Sequence, residues 1–191
     1  MLPRPELKLW WKRTRPKKAK TPRLQRPKKS PTQRSSSLHL VVGLGNPGPR
    51  FLNTRHNVGF AVAEELAKTH SLRFRKAFLQ PYLYARDPKL FLSMPLTYMN
   101  RSGLVIPALL RKSRSKVSDL VVIVDNMDLP AGTVRMKRKG ASRSHNGLGS
   151  LMDVLQTGEF LRIYIGIGRP GRTVSVVDHV LGVISDAELP L

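Results

Sequence analysis

The chain has 191 residues, 40% of them hydrophobic and none of them cysteine, with 34 Lys and Arg against 12 Asp and Glu. That length fits one domain plus a tail. No apolar run is long enough to span a bilayer, and without cysteine there is neither a disulfide framework nor a thiolate metal site. A net charge of +22 implies a polyanionic partner, with nucleic acid ahead of an anionic membrane.

Of the 34 basic and 12 acidic residues, 13 basic residues and one acid (Glu6) lie in residues 1–37, so the remainder holds 21 and 11. Tail and body are each basic, and contact with nucleic acid is expected from both. Pro3, Pro5, Pro16, Pro22, Pro27 and Pro31 interrupt any helix in the tail, and Ser35-Ser36-Ser37 closes it like a linker. Residues 1–37 are therefore expected to be a disordered basic extension that raises RNA affinity without reading sequence. Their Arg/Lys-rich, acid-poor composition also fits an organelle transit peptide. That reading would place the protein in a mitochondrion or plastid instead of the cytoplasm. The prolines oppose the amphipathic helix that such peptides form.

A folded domain is expected from Leu38 onward. Leu38–Leu44 reads as a buried strand. Val58, Ala61, Val62 and Leu66 recur at helical spacing through Lys68, with Glu64 and Glu65 facing water. Residues 72–79 are basic and fit no single pattern. Tyr82–Ala85 and Leu90–Met94 read as short strands joined by a turn at Arg86-Asp87-Pro88-Lys89. Thr97 or Asn100 is expected to cap a helix running to about Lys112, kinked or shortened by Pro107. Leu120–Val124 is a second strong strand and Val134–Lys137 a shorter one. Gly147–Gln156 reads as a helix with Leu148, Leu151, Met152 and Leu155 on one face. Leu161–Ile167 reads as a strand ended by Gly168-Arg169-Pro170-Gly171. Strands alternating with helices predict a single α/β domain, one central sheet flanked by helices.

Gly43-Leu-Gly45-Asn-Pro-Gly48 matches the dinucleotide-binding spacing directly after a strand, with Glu64 and Glu65 near the place of a ribose-binding acid. Three features oppose that reading. Pro47 and Pro49 each remove an N–H, the helical period does not begin until about His56, and the acids fall inside the first helix. The glycines are instead expected to shape a tight turn that presents Asn46.

Among the five histidines, His39, His70 and His179 read as structural or solvated. His56 stands at a helix start, where the macrodipole disfavours imidazolium and keeps the ring available as a base. His145, in Ser-His-Asn-Gly before another helix, is its rival, and the residues alone do not separate the two. Asp125 ends the Leu120–Val124 strand, at the crevice end of an α/β sheet. It can orient a histidine or simply cap a loop, while Asp128, before Leu-Pro, reads as a turn residue. With no nucleophile-elbow serine and no cysteine, a hydrolase would use water activated by a His–Asp pair. Asn46, Asn100 and Asn146 all fall in turns or helix starts. Amides there can hold a peptide and polarise a carbonyl, and singly they are also ordinary turn residues.

Together these segments form an ordered set: Val42-Gly-Leu-Gly-Asn46-Pro-Gly with Thr54-Arg-His56-Asn-Val-Gly; Pro95-Leu-Thr-Tyr-Met99-Asn100-Arg-Ser-Gly; Val124-Asp125-Asn-Met-Asp128-Leu-Pro-Ala-Gly; Ser144-His145-Asn146-Gly-Leu; and Ile165-Gly-Ile-Gly-Arg-Pro-Gly. In order and spacing, from Leu40 to about Gly182, they resemble the five signature blocks of bacterial-type peptidyl-tRNA hydrolases. The resemblance implies a monomeric α/β domain with a mixed sheet. It implies hydrolysis, without metal or cofactor, of the ester joining a peptide to the 3′ ribose of tRNA, which frees the tRNA for translation. Matched by motif, His56 would be the general base and Asp125 its orienting partner. Asn46 would bind the tRNA 3′ end near the scissile ester. Asn100 and Asn146 would position peptide backbone and water with Met99 packed beside them, and His145 would take a supporting role. Arg135, Lys137, Arg138, Lys139 and Arg143 would meet tRNA phosphates, contacts that carry affinity but no sequence readout. The tail would add contact with ribosome-associated RNA.

The chain departs from the family pattern in four places. Phe51 stands where the family usually has Tyr, which leaves stacking on a base without the hydroxyl. Asn126 replaces the usual acid after Asp125 and removes a charge beside the base. Arg143 replaces a small residue, which predicts a narrower or more basic crevice. The sequence ends at Leu191, before a further C-terminal helix that the resemblance leads one to expect. The competing function is a non-catalytic, splicing-factor-like RNA-binding paralogue on the same scaffold, with a nucleotide-cofactor enzyme third.

Overall fold

A computed structural model of the chain describes residues 39–140 and 144–184. The expected basic tail, Arg143 and the shortened C-terminus lie outside those residues.

The most apolar runs form the middle of a seven-stranded sheet of order β2-β3-β4-β1-β5-β7-β6. β1 (His39–Gly43) lies parallel between β4 (Leu90–Pro95) and β5 (Leu120–Asn126), and β7 (Leu161–Gly166) runs parallel to β5. The outer strands β2 (Arg75–Lys76), β3 (Tyr82–Arg86) and β6 (Val134–Lys137) pair antiparallel, so the sheet is mixed. Strands covered on both faces read as near-continuous apolar runs, and the pleat sends alternate residues of one run to opposite faces. Leu40, Val42 and Leu44 join Val122 and Val124 in one core, while Val41 joins Ile123 and Ile165 in the other. Helices α2 (Ile106–Ser113) and α3 (Asn146–Leu155) cover the first core. Helix α1 (Val58–Thr69) and Val180 of the short α4 (Val176–Leu181) cover the second. Among the described residues no helix is long and apolar enough to cross a membrane.

Local details depart from the sequence reading in four places. The buried stripe of α1 is Val58, Gly59, Ala63 and Ala67, and Ala61 is exposed. The expected single helix up to Lys112 is a 3-10 segment, Met99–Val105, followed by α2. Tyr98 stands at its N-cap without a side-chain bond, so neither Thr97 nor Asn100 caps it. Pro107 falls in the first turn of α2, where no intrahelical N–H is required, so it opens a helix instead of kinking one. The ambiguous stretch 72–79 holds the two-residue β2. Helix α4 was not anticipated. Its signal was Ser175, whose Oγ accepts from the Asp178 N–H at 3.0 Å.

The loop glycines act differently from expectation. Only Gly48 takes a positive φ, 107°. A Cβ on Gly43 would lie 2.1 Å from the Gly59 carbonyl oxygen, and one on Gly59 would lie 2.4 Å from that of Leu44. A Cβ on Gly45 would enter the Phe60 ring at 2.7 Å. Gly45 therefore leaves room for the Phe60 ring, and Gly43 and Gly59 let α1 press its backbone against the ends of β1 and β5. This contact fixes where the chain just before α1, including His56, emerges.

Arg162 of β7 is fully buried. Its Nη2 donates to the carbonyls of Gly140 (2.7 Å) and Gly158 (3.0 Å), and its guanidinium lies 4.6 Å from the Phe160 ring centroid. Nε and Nη1 have no hydrogen-bond partner among the described residues. One side chain thus ties together the connections on either side of α3.

Substituting Gly43→Ala forces α1 off β1. Overpacking of this kind costs about 1–3 kcal/mol, and denaturant unfolding should register it as a lower midpoint with an unchanged slope. A variant as stable as the parent would show that the α1–β1 contact is not tight.

Candidate active site

The carboxyl ends of β1 and β5, the 3-10 turn Arg55–Asn57 and the start of α3 meet at one place. Asp125, the sixth residue of β5, is 3% exposed. Its Oδ1 receives His56 Nδ1 at 2.9 Å and His145 Nε2 at 2.8 Å, and the two imidazole centroids are 5.0 Å apart. Burial acts to raise the Asp125 pKa. The charges and hydrogen bonds of His145 and His56 outweigh it and bring the value from 3.8 down to about 2. The carboxylate is therefore ionised at neutral pH and can only accept hydrogen bonds.

This fixes the tautomers. His145 is the N-cap of α3, and its Nδ1 accepts from the Gly147 N–H at 3.1 Å and the Leu148 N–H at 3.4 Å. Its proton must then sit on Nε2, the atom facing Asp125. His56 gives its Nδ1 proton to the same carboxylate, which leaves the lone pair of Nε2 unused by that bond. The histidines that looked equivalent in sequence are held in different states. His145 has both nitrogens committed, while His56 keeps a basic one.

Ligand atoms of His56, Asp125 and His145 lie within 4.8 Å of one another, a possible metal cluster by distance. A cation on His145 Nε2 would move the proton to Nδ1 and set it against the Gly147 N–H. The donor set suits a hydrogen-bond network better than a metal.

Asn46 is buried and held from two sides. Its N–H donates to Asn57 Oδ1 (2.8 Å) while Asn57 Nδ2 donates to its carbonyl (2.9 Å), and its Oδ1 accepts from the Met99 N–H (2.7 Å). With the oxygen committed, the amide NH2 is the group left for a ligand. Met99 is buried against α3, where Gly147 makes room for it, since a Cβ there would lie 2.6 Å from the Met99 sulfur. Two cavities flank His56. One, of about 220 Å³, is walled by Asn46, Met99, Asn100 and Asn146. The other, of about 190 Å³, is walled by Asp125, Asn126, His145 and Tyr164. Asn146, Val177 and Val180 border both.

The structure thus brings His56, Asp125, Asn46, Met99, Asn100 and Asn146 together. Phe51 is buried, edge-on to exposed Tyr98 at 6.2 Å with the Arg50 guanidinium 4.4 Å above its ring, and it lines neither cavity. Asn126 accepts from the Asp128 N–H at 2.7 Å, and Asp128 is an exposed turn residue paired with Arg169. Arg135, Lys137, Arg138 and Lys139 are exposed on and after β6, the neighbour of β7. His39 is exposed, His70 lies 3.6 Å from Asp87, and His179 Nε2 donates to the Gly168 carbonyl at 2.9 Å. Sequence reasoning missed Asn57, Tyr164 and the apolar wall from α4. The Asn57 clamp joins residues eleven apart and has no local signature.

The lowered Asp125 pKa makes a stability prediction. A folded-state value below the unfolded one gives stability that is complete above about pH 4 and lost as pH falls through about 2, on the order of 2 kcal/mol. Unfolding free energies of the parent and Asp125→Asn, compared from pH 5 downward, should converge by that amount. A constant difference would mean that the carboxylate is not held ionised by its partners.

The family model described as peptidyl-tRNA hydrolase matches residues 40–191. The chain is 40% identical to a peptidyl-tRNA hydrolase of Hydrogenobaculum over 152 residues, 79% of this chain and 81% of that one. It is 43% identical to that of Bacillus subtilis over 154 residues, 79% and 82% of the two chains. The crystal structure of the Acinetobacter baumannii peptidyl-tRNA hydrolase superposes with a TM-score of 0.74 at 33% identity, covering 80% of each chain. Sequence, fold and the cluster around Asp125 agree: the chain belongs to the peptidyl-tRNA hydrolase family.

Proposed function

We propose that this chain hydrolyses the ester between peptide and tRNA with water activated by His56. The observation that carries the reading is the His56–Asp125 contact at the wall between two cavities. His56 Nε2 takes a proton from water as the oxygen attacks the ester carbonyl, and ionised Asp125 stabilises the imidazolium that forms. When the tetrahedral intermediate collapses, the same proton passes to the departing ribose oxygen. Free tRNA and a peptide carboxylic acid result. The Asn46 amide, oriented by the Met99 N–H, donates near the scissile ester at the tRNA 3′ end. Asn100 and Asn146 position peptide backbone and water. His145, its Nε2 proton committed to Asp125, orients the carboxylate and takes no proton from water.

Arg135, Lys137, Arg138 and Lys139 hold tRNA phosphates along the edge next to the Tyr164 side of the site, and Arg143 adds a further phosphate contact. The enzyme acts as a monomer in the cytoplasm, and the tail adds nonspecific contact with ribosome-associated RNA.

Release of tRNA from purified peptidyl-tRNA tests this. His56→Ala should lower turnover about a hundredfold or more. Asp125→Asn, which keeps the shape but loses the charge, should lower it by about two to four orders of magnitude while binding stays intact. Wild-type turnover in His56→Ala would move the base elsewhere. Salt-sensitive RNA binding without any ester cleavage by the parent would favour the non-catalytic paralogue.

A further inference from the structure

A second cationic surface lies far from the catalytic cluster. Between Ser71 and Lys89 the chain carries Arg73, Arg75, Lys76, Arg86 and Lys89 against one acid, Asp87. The fold gathers three of these, Arg73, Arg75 and Arg86, around one groove of about 440 Å³ floored by Tyr84 and Ala85. All three arginines are exposed, and none has an ion pair with a described residue. The one nearby carboxylate does not neutralise them. Asp87 is occupied by the N–H groups of Lys89 (2.6 Å) and Leu90 (2.8 Å), with His70 3.6 Å away.

The groove exists because β2 is only two residues long. It pairs with Leu83 and Tyr84, and leaves β3 uncovered at Ala85 and Arg86. Arg73, just before β2, and the paired Arg75 line the groove together with Arg86. Strand register places it relative to the site. Arg86 lies opposite Phe91, which lies opposite Leu40 near the start of β1, whereas Asp125 is near the end of β5. That is about 16 Å along the strands and about 14 Å across three strand spacings. The groove lies at the β2–β3 edge toward the amino end of β1, whereas the cavities beside His56 lie at the carboxyl ends of the central strands.

Three exposed arginines lining one polar groove suit tetrahedral phosphodiester oxygens, which guanidinium groups grip in bidentate fashion. Stable attachment to an anionic membrane takes an apolar anchor beside the cations. The exposed pair Phe78 and Leu79 sits at the other end of the β2–β3 hairpin, in the turn between Ala77 and Tyr82. We propose that the Arg73–Arg75–Arg86 groove binds the sugar–phosphate backbone of an RNA segment that is not the one at the catalytic site. It serves as a second anchor, independent of catalysis and of base sequence.

The test uses the full chain, a fluorescent 20-nucleotide RNA bearing no ester, and the triple variant Arg73→Ala/Arg75→Ala/Arg86→Ala. Loss of three phosphate contacts should reduce the slope of log affinity against log salt by about 2, at about 0.7 per contact on a single strand. At low salt the affinity should drop about tenfold or more. Photocrosslinking with a 4-thiouridine version should mark peptides spanning residues 71–86 in the parent and not in the variant. An unchanged thermal midpoint establishes that the variant is folded, and peptidyl-tRNA hydrolysis should stay within about twofold of the parent. An unchanged salt slope overturns the proposal. So does a loss of hydrolysis parallel to the loss of binding, which would place the groove on the substrate path. Reduced binding to phosphatidylserine vesicles with RNA binding intact also overturns it, in favour of a membrane surface. The RNA readouts do not involve ester cleavage, so they stand or fall separately from the assignment of His56.

Discussion

One buried oxygen, Asp125 Oδ1, accepts hydrogen bonds from two imidazoles that arrive on different elements. A carboxylate this deeply buried is stable only if its charge is answered locally. The answers come from the turn that precedes α1 and from the cap of α3. The ends of β5, α1 and α3 are therefore linked through one atom. Displacing any of them leaves a desolvated charge short of a partner, a larger penalty than the loss of a surface hydrogen bond. The site and the fold share this constraint, which is why the machinery sits where three elements terminate.

Packing sets the precision of that arrangement. His56 reaches Asp125 because α1 lies against β1 with no side chain between Gly43 and Gly59. Met99 reaches Asn46 because Gly147 leaves room for its sulfur, and Gly103 lets the 3-10 segment approach α3 closely enough for its N–H to meet Ser150 Oγ at 3.0 Å. In each case a missing Cβ brings two distant motifs into register. The Asn46–Asn57 clamp then holds the loop after β1 against the turn that carries His56.

Much of this was legible in the sequence. The central strands are β-branched or leucine-rich runs buried on both faces, and such runs declare themselves. The His56, Asp125, Asn46 and Asn146 positions fall at element ends, where turn residues and apolar runs meet. Other features were not legible, for identifiable reasons. The glycines of the first loop share the spacing of a phosphate-binding turn, and only the position of α1 reveals that Gly43 answers a backbone contact and Gly45 the Phe60 ring. Which of His56 and His145 keeps an uncommitted ring nitrogen depends on which nitrogen a backbone N–H occupies. That depends on cap geometry, which residue spacing does not encode. Helix α4 is six residues long, too short for periodicity, and only its serine cap gave a local signal. Arg162 looks like one more cation in a basic chain. Its burial follows from the inward-facing register of β7.

β6 has consequences beyond its proposed contact with tRNA. It is a terminal strand of the sheet, and all four of its residues are exposed, with Val134 and Met136 64% and 68% accessible and alternating with Arg135 and Lys137. A strand with an open backbone edge and two apolar side chains is a template for pairing with another copy. The interleaved cations oppose that by repulsion, so they act as gatekeepers of solubility whatever else they hold. Sequence change at these two positions is therefore constrained twice. A neutral substitution that merely loosened a nucleic-acid contact would also leave a sticky margin on the molecule, and a chain bound to RNA, with those charges screened, would rely on the RNA itself to cover that edge.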